Sequence, residues 1–154
     1  MNKHEIDSLL PDAYIAILEG GFLSKDGKID PAFRSQISSY GAAVANGSLL
    51  AATACFSHKG NADVDRSLLI NAINVLMCGH FVQDDEKKKG SLFDTLVALN
   101  PDHGDENTKR YLQNIIKEQV MMCAVALKLA FNLFILESKK GADETTPAAQ
   151  NGQG

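Results

Sequence analysis

The stretch from Val120 to Leu136 is apolar almost all round, interrupted only by Lys128 and Asn132. A helix without a polar face has to be enclosed by other elements, so this run demands a fold that wraps it. A lone membrane span would be longer and uncharged, and this run carries Lys128 and stops at Glu137. It reads as the inner part of a helix from about Thr108 to Ser138, with Ile115, Met122, Leu129 and Leu136, seven apart, as its inward line. Lys128 and Asn132, four apart and continuing to Lys139, predict one solvent-facing edge. Gly141 ends the helix.

Five shorter segments supply the wrapping. Residues 4 to 19 place Ile6, Leu9, Leu10, Ala13, Ile17 and Leu18 at helical spacing. Pro11 predicts a kink or a split there, and Gly20-Gly21 the end. Asp30-Pro31 pairs an N-cap carboxylate with a proline at the first helical position. Phe33, Ile37, Tyr40 and Val44 then form one stripe, broken at Asn46-Gly47. A third helix, about Ser48 to Lys59, packs Leu49, Ala52 and Phe56, and Gly60 gives a left-handed stop. Asp63 predicts the cap of a fourth, with Leu69, Ala72 and Leu76 inward and a close at Gly79. Residues 80 to 90 read as a charged loop, and Ser91 caps a short fifth helix stopped by Asn100-Pro101. No β alternation competes beyond a few residues. The expectation is an all-α fold: a compact bundle of about six helices around a long central C-terminal helix. Residues 1 to 141 form a single helical domain, and the polar segment 142 to 154 buries too little to stay ordered.

A chain of 154 residues, 45 % apolar and 22 % charged, can build such a core without disulfide or metal staples. Cys55, Cys78 and Cys123 are odd in number and sit among apolar neighbours, which fits reduced thiols on buried faces and a cytoplasmic location. The opening Met-Asn-Lys-His-Glu lacks an apolar signal region. The formal net charge of −4 gives no global attraction for nucleic acid or anionic lipid, so any phosphate contact must come from a local cluster of the 15 Lys and Arg.

Motifs for chemistry are incomplete. Leu23 to Asp30 resembles the middle of a calcium loop, but aligning Gly27 with its glycine puts Phe22 and Phe33 where acidic ligands belong. Cys55, His58, Cys78 and His80 match no common zinc spacing, and His58 at a helix end suits the last carbonyls instead. Asp84-Asp85-Glu86 is followed at once by Lys87-Lys88-Lys89, a self-neutralising solvated group. No phosphate-binding loop, nucleophile elbow or paired zinc histidines occur. The expectation is a chain that is not an enzyme and needs no metal or cofactor.

Small residues concentrate between the second and third helices: Ser38, Ser39, Gly41, Ala42, Ala43, Ala45, Gly47, Ser48, Ala51, Ala52 and Ala54. They suit tight packing inside the monomer or a surface on which another subunit lies flush. Arg34 shares a face with Ser38, Gly41 and Ala45, opposite the Phe33 stripe. Lys59 ends the third helix, where it complements the dipole, and Arg66 lies at the start of the fourth, where Asp63 offers a surface pair.

The stretch Phe33 to Gly60 is a helix, a glycine break followed by Leu, and a small-residue helix ending Phe56-Ser57-His58-Lys59-Gly60. It resembles the small helical subunit of type III-B (Cmr) CRISPR effector complexes, and Glu118 to Lys140 is similar to that family's last helix. The resemblance implies a non-catalytic antiviral-defence subunit that stacks with neighbouring small subunits along the backbone protein filament. It helps hold the duplex of CRISPR guide RNA and target RNA by contacts to the target strand, and the neighbouring backbone subunit performs cleavage. RNA-binding candidates by position are Arg34, Lys59 and Arg66, then Lys139 and Lys140. The alternative is a soluble helical protein–protein adaptor without RNA contact. A third possibility, a ligand-binding or catalytic bundle, lacks a nominated residue.

Overall fold

The computed structural model describes residues 1 to 138; Lys139, Lys140 and the segment 142 to 154 lie outside them. Six α-helices follow in order: α1 (Lys3–Glu19), α2 (Ala32–Asn46), α3 (Leu49–Phe56), α4 (Ser67–Met77), α5 (Leu92–Leu99) and α6 (Glu106–Ala130). Among the described residues there is no strand, only two isolated β-bridges. The all-α bundle with a long late helix is therefore what the chain forms.

α6 packs against α1, α2 and α4 and is the central element. Its buried line is Val120, Cys123, Leu127 and Ala130, joined by Ala126. Of the expected inward line, Met122 lies at the edge of this buried face, and the drift of about 20° per seven residues on a straight helix carries Leu129 out of it; Leu136, beyond the helix, is partly buried against the core. Met122 is buried, whereas Leu129 is 43 % exposed.

The helix also stops earlier than Ser138. Phe131 to Leu133 form a 3-10 turn, and from Phe134 the backbone is extended. Phe131 is fully buried, 5.6 Å from Phe22 and 6.4 Å from Phe33 between ring centroids. Phe134 stacks on Tyr14 at 5.1 Å. Those contacts turn the chain so that Ile29 N–H donates to the Ile135 carbonyl at 2.9 Å and Glu137 N–H donates to the Ile29 carbonyl at 2.8 Å. Lys128 and Asn132 are exposed, as the polar stripe predicts.

α1 runs through Pro11 without a split. The proline removes one backbone donor, but it is exposed, and Ile6, Leu9, Ala13, Ala16 and Ile17 stay in one buried stripe on both sides of it. Leu18, expected inward, is 45 % exposed. The helix begins where the Asn2 side chain accepts from His4 N–H at 3.0 Å.

α4 begins later than expected. Asp65, not Asp63, accepts from Ser67 N–H at 3.1 Å. Gly79 does not end it either: a π-helical turn carries on over Cys78–Val82, and Gln83, at φ 54°, takes the left-handed stop. Ser91 caps α5 and Asp105 caps α6, each accepting a backbone N–H three residues on.

Candidate functional site

The hairpin of α2 and α3 carries most of the candidate residues. Its two helices are joined by Tyr40, whose hydroxyl lies 2.9 Å from Thr53 Oγ1 in full burial. Thr53 spends its own proton on the Leu49 carbonyl at 2.8 Å, so Tyr40 is the donor in that pair. Burial pushes the Tyr40 hydroxyl up to about 12. Phe56 packs edge-on to the Tyr40 ring at 5.4 Å.

With Phe33, Ile37, Tyr40 and Val44 turned inward, the small residues face out. Ser38, Ala42 and Ala45 on α2 and Ala51 and Ala54 on α3 are exposed, while Gly41 is half-buried. Ala52 alone of the small residues in this hairpin is buried. Tight packing inside the monomer is therefore the use of Ala52 and in part of Ala43, not of the exposed ones. Gly41 is a partial exception, since a Cβ there would meet Met121 Cε of α6 at 3.6 Å.

The basic candidates differ in how free they are. Arg34 is half-buried in the first turn of α2, and its guanidinium makes no hydrogen bond or ion pair among the described residues. Lys59 is exposed just beyond α3, beside Gly60 at φ 56°. Arg66 is committed inward. Its Nε donates to the His58 carbonyl at 2.8 Å, Nη2 donates to the Cys55 carbonyl at 2.9 Å, and the guanidinium lies 4.6 Å over the Phe56 ring. It thus satisfies carbonyls at the end of α3 that no helical turn reaches. The expected surface pair with Asp63 does not form. Arg66 and Lys59 belong to one corner of the molecule, at the end of α3, whereas Arg34 lies in the first turn of α2.

The groups weighed for metals are dispersed or occupied. Among the described residues no group of three or more His, Cys, Asp or Glu side chains converges. Cys55 is exposed, against expectation, because it lies on the outer side of α3 beyond the Ala52–Phe56 stripe. Cys78 is buried against Asn74 Oδ1 and Thr95 Oγ1, and burial raises its thiol, as it does that of Cys123. His80 Nε2 lies 2.6 Å from Asp12 Oδ2 of α1. Lys88 pairs with Asp85 at 2.8 Å and Lys87 lies 3.9 Å from Asp84, the self-neutralising arrangement expected. The hydrogen bond from Lys88 holds the Asp85 carboxyl below the usual carboxylate range. The calcium-like segment is a tight turn, in which Ser24 N–H donates to the Lys28 carbonyl and Gly27 N–H to the Ser24 carbonyl, both at 2.9 Å.

One cavity escaped sequence reasoning. A groove between the α2–α3 turn, α5 and α6 is lined by Leu49, Leu50 and Ile116 and rimmed by Asn100, Gln113 and Asn114. The only local signal was the polar run Gln113-Asn114 one turn before Lys117; Asn100 reads in sequence merely as a helix stop. No described helix is long and apolar enough to cross a membrane. The chain matches no family model, no curated protein and no solved structure.

Proposed function

We propose that this chain is a non-catalytic small subunit of a type III-B (Cmr) CRISPR RNA-guided effector complex in the cytoplasm. Its partners are then the backbone subunit, neighbouring small subunits, and the guide and target RNA. The observation that carries the reading is the outward display of Ser38, Ala42, Ala45, Ala51 and Ala54, all within the segment that resembles that family. Ala and Gly have almost no rotamer entropy to lose on docking, and short side chains let a partner backbone approach closely. Arg34 in the first turn of α2 and Lys59 just beyond α3 make no ion pair among the described residues, and their charges suit phosphate contacts, which position a strand without reading its sequence.

Arg66 favours a second reading. A guanidinium spent on the Cys55 and His58 carbonyls has little left for phosphate, which suits a protein–protein adaptor without RNA contact. The test is reconstitution with the neighbouring gene products. Ala42→Arg with Ala51→Arg should abolish incorporation while leaving the melting temperature of the free protein unchanged. Arg34→Ala with Lys59→Ala should leave incorporation intact and flatten the log–log salt slope of target-RNA capture by about 0.7 per lost contact. Unchanged slope and affinity, with the subunit incorporated, would favour the adaptor. Failure of the wild-type chain to join the complex would sink both the effector reading and its RNA contacts.

A further inference from the structure

The groove between the α2–α3 turn, α5 and the first half of α6 encloses about 270 Å³. Its floor is aliphatic, made by Leu49 and Leu50 of α3, Leu96 of α5 and Ile116 of α6. Its rim holds three neutral carboxamides, Asn100 just beyond α5 and Gln113 and Asn114 on α6. Gln113 Nε2 lies 3.4 Å from Asn100 Oδ1, which leaves the Asn100 amide donors and the Gln113 carbonyl oxygen without a partner among the described residues. Lys117 is the one charged residue of the lining. Its Nζ donates to the Ala45 carbonyl at 3.3 Å, and an ammonium has two further donors to offer.

This combination selects a chemistry. No carboxylate lines the groove, so a cationic ligand finds no counter-charge. Carboxamides present donor and acceptor side by side, which complements the alternating donors and acceptors on the edge of a nucleobase. An aliphatic floor covers the face of a flat ring. The volume falls below the roughly 300–1,000 Å³ of sites for larger ligands, so it holds one ring system and not an extended molecule. Lys117 adds a single cationic group at the wall, suited to one phosphate. We propose that this groove binds one nucleotide unit, with the base over Leu50 and Ile116, its edge on Asn100 and Gln113, and the phosphate at Lys117. That chemistry has two sources, a free mononucleotide or an unstacked residue of a single strand. The inference uses neither Arg34 nor Lys59 and stands apart from the effector-complex reading.

The test is an NMR titration of the full 154-residue chain with each of AMP, CMP, GMP and UMP, and separately with a short single-stranded RNA. Perturbed resonances should cluster at Leu50, Asn100, Gln113 and Asn114. Leu50→Trp, which fills the floor, should abolish them. Gln113→Leu, at an exposed position that folding tolerates, should weaken binding about fivefold through one lost hydrogen bond. Response to the strand alone assigns the site to a strand residue, and response to mononucleotides assigns it to free nucleotide; either sustains the proposal. Three results would each overturn it: no response to any probe at millimolar concentration, undiminished binding in both variants, or equal binding of benzyl phosphate. The last has a ring and an anion but no hydrogen-bonding edge, so it would reduce the groove to an apolar crevice.

Discussion

Asn74 is fully buried on α4, and every polar atom of its side chain is used. Its amide donates to the carbonyls of Lys87 at 2.9 Å and Gly90 at 3.0 Å, and its oxygen accepts from Thr95 Oγ1 at 2.8 Å. One side chain therefore ties the lysine-rich loop to two helices. Replacing it by Ala strands two carbonyls and should cost about 2–4 kcal/mol, read by urea denaturation. Trypsin should also cut at Lys87 to Lys89 faster in that variant, since the loop loses its anchor; an unchanged cleavage rate would show that the loop is held otherwise. Tyr40 makes a different prediction. Its folded-state value lies above the usual 10, so its contribution is complete below about pH 10 and is lost as pH rises towards 12. Tyr40→Phe should cost about 1 kcal/mol at neutral pH and flatten the alkaline loss of stability measured by denaturation from pH 8 to about pH 11. It should not remove that loss entirely, because the raised Cys78 and Cys123 thiols act in the same direction. The two methionine- and leucine-bearing positions on α6 now separate. Met122→Asp buries an unpaired carboxylate and should prevent folding, whereas Leu129→Asp, on the exposed side, should melt within a few degrees of wild type.

At the scale of elements, the strongest signals in the sequence were the stripes and the local caps. Phe33, Ile37, Tyr40 and Val44 are buried as their spacing requires, and Ser48 and Ser91 cap where their chemistry places them. α3 however ends at Phe56, capped by Ser57, so Gly60, though left-handed, turns the chain beyond the helix and does not stop it. What could not be read were decisions taken by distant partners. Pro11 does not split α1, because burial of the stripe on either side offsets one missing hydrogen bond. α6 ends at Ala130 instead of Ser138, because Phe131 fits between Phe22 and Phe33, far away in sequence. Arg66 looked like surface charge because the carbonyls it serves lie eight and eleven residues back, at and just beyond the end of α3, and the nucleotide-sized groove needed three elements to meet. Element ends also respond to pH. Backbone and hydroxyl hydrogen bonds from Thr108 hold the Asp105 carboxyl below its usual range. A depressed carboxyl contributes above its unfolded value and loses that contribution as pH falls through its folded value. The difference in melting temperature between wild type and Asp105→Ala should accordingly be present at pH 7 and shrink as pH falls below the usual carboxylate range; a difference that stays constant in acid would mean the cap works without its charge.

For the whole molecule, the sequence made the fold class legible through one all-round apolar run, since such a helix can only be a centre. It left the surface illegible, because the same small residues serve close internal packing and outward display equally well, and only their position relative to Tyr40 and Val44 decides. The pairing of Ile29 with the Ile135–Glu137 backbone joins the chain's first third to the last residues described. During synthesis that closure comes late. A ribosome that has delivered α1 to α5 has displayed the parts of the α1, α2 and α4 faces that α6 covers, and these stay open until Val120 to Phe131 emerges. The nascent chain thus spends most of its translation as a set of unclosed amphipathic helices, a state that invites chaperones and self-association. A fragment of residues 1 to 105 should be expanded and bind a hydrophobic dye, and adding a peptide of residues 106 to 138 should restore compactness.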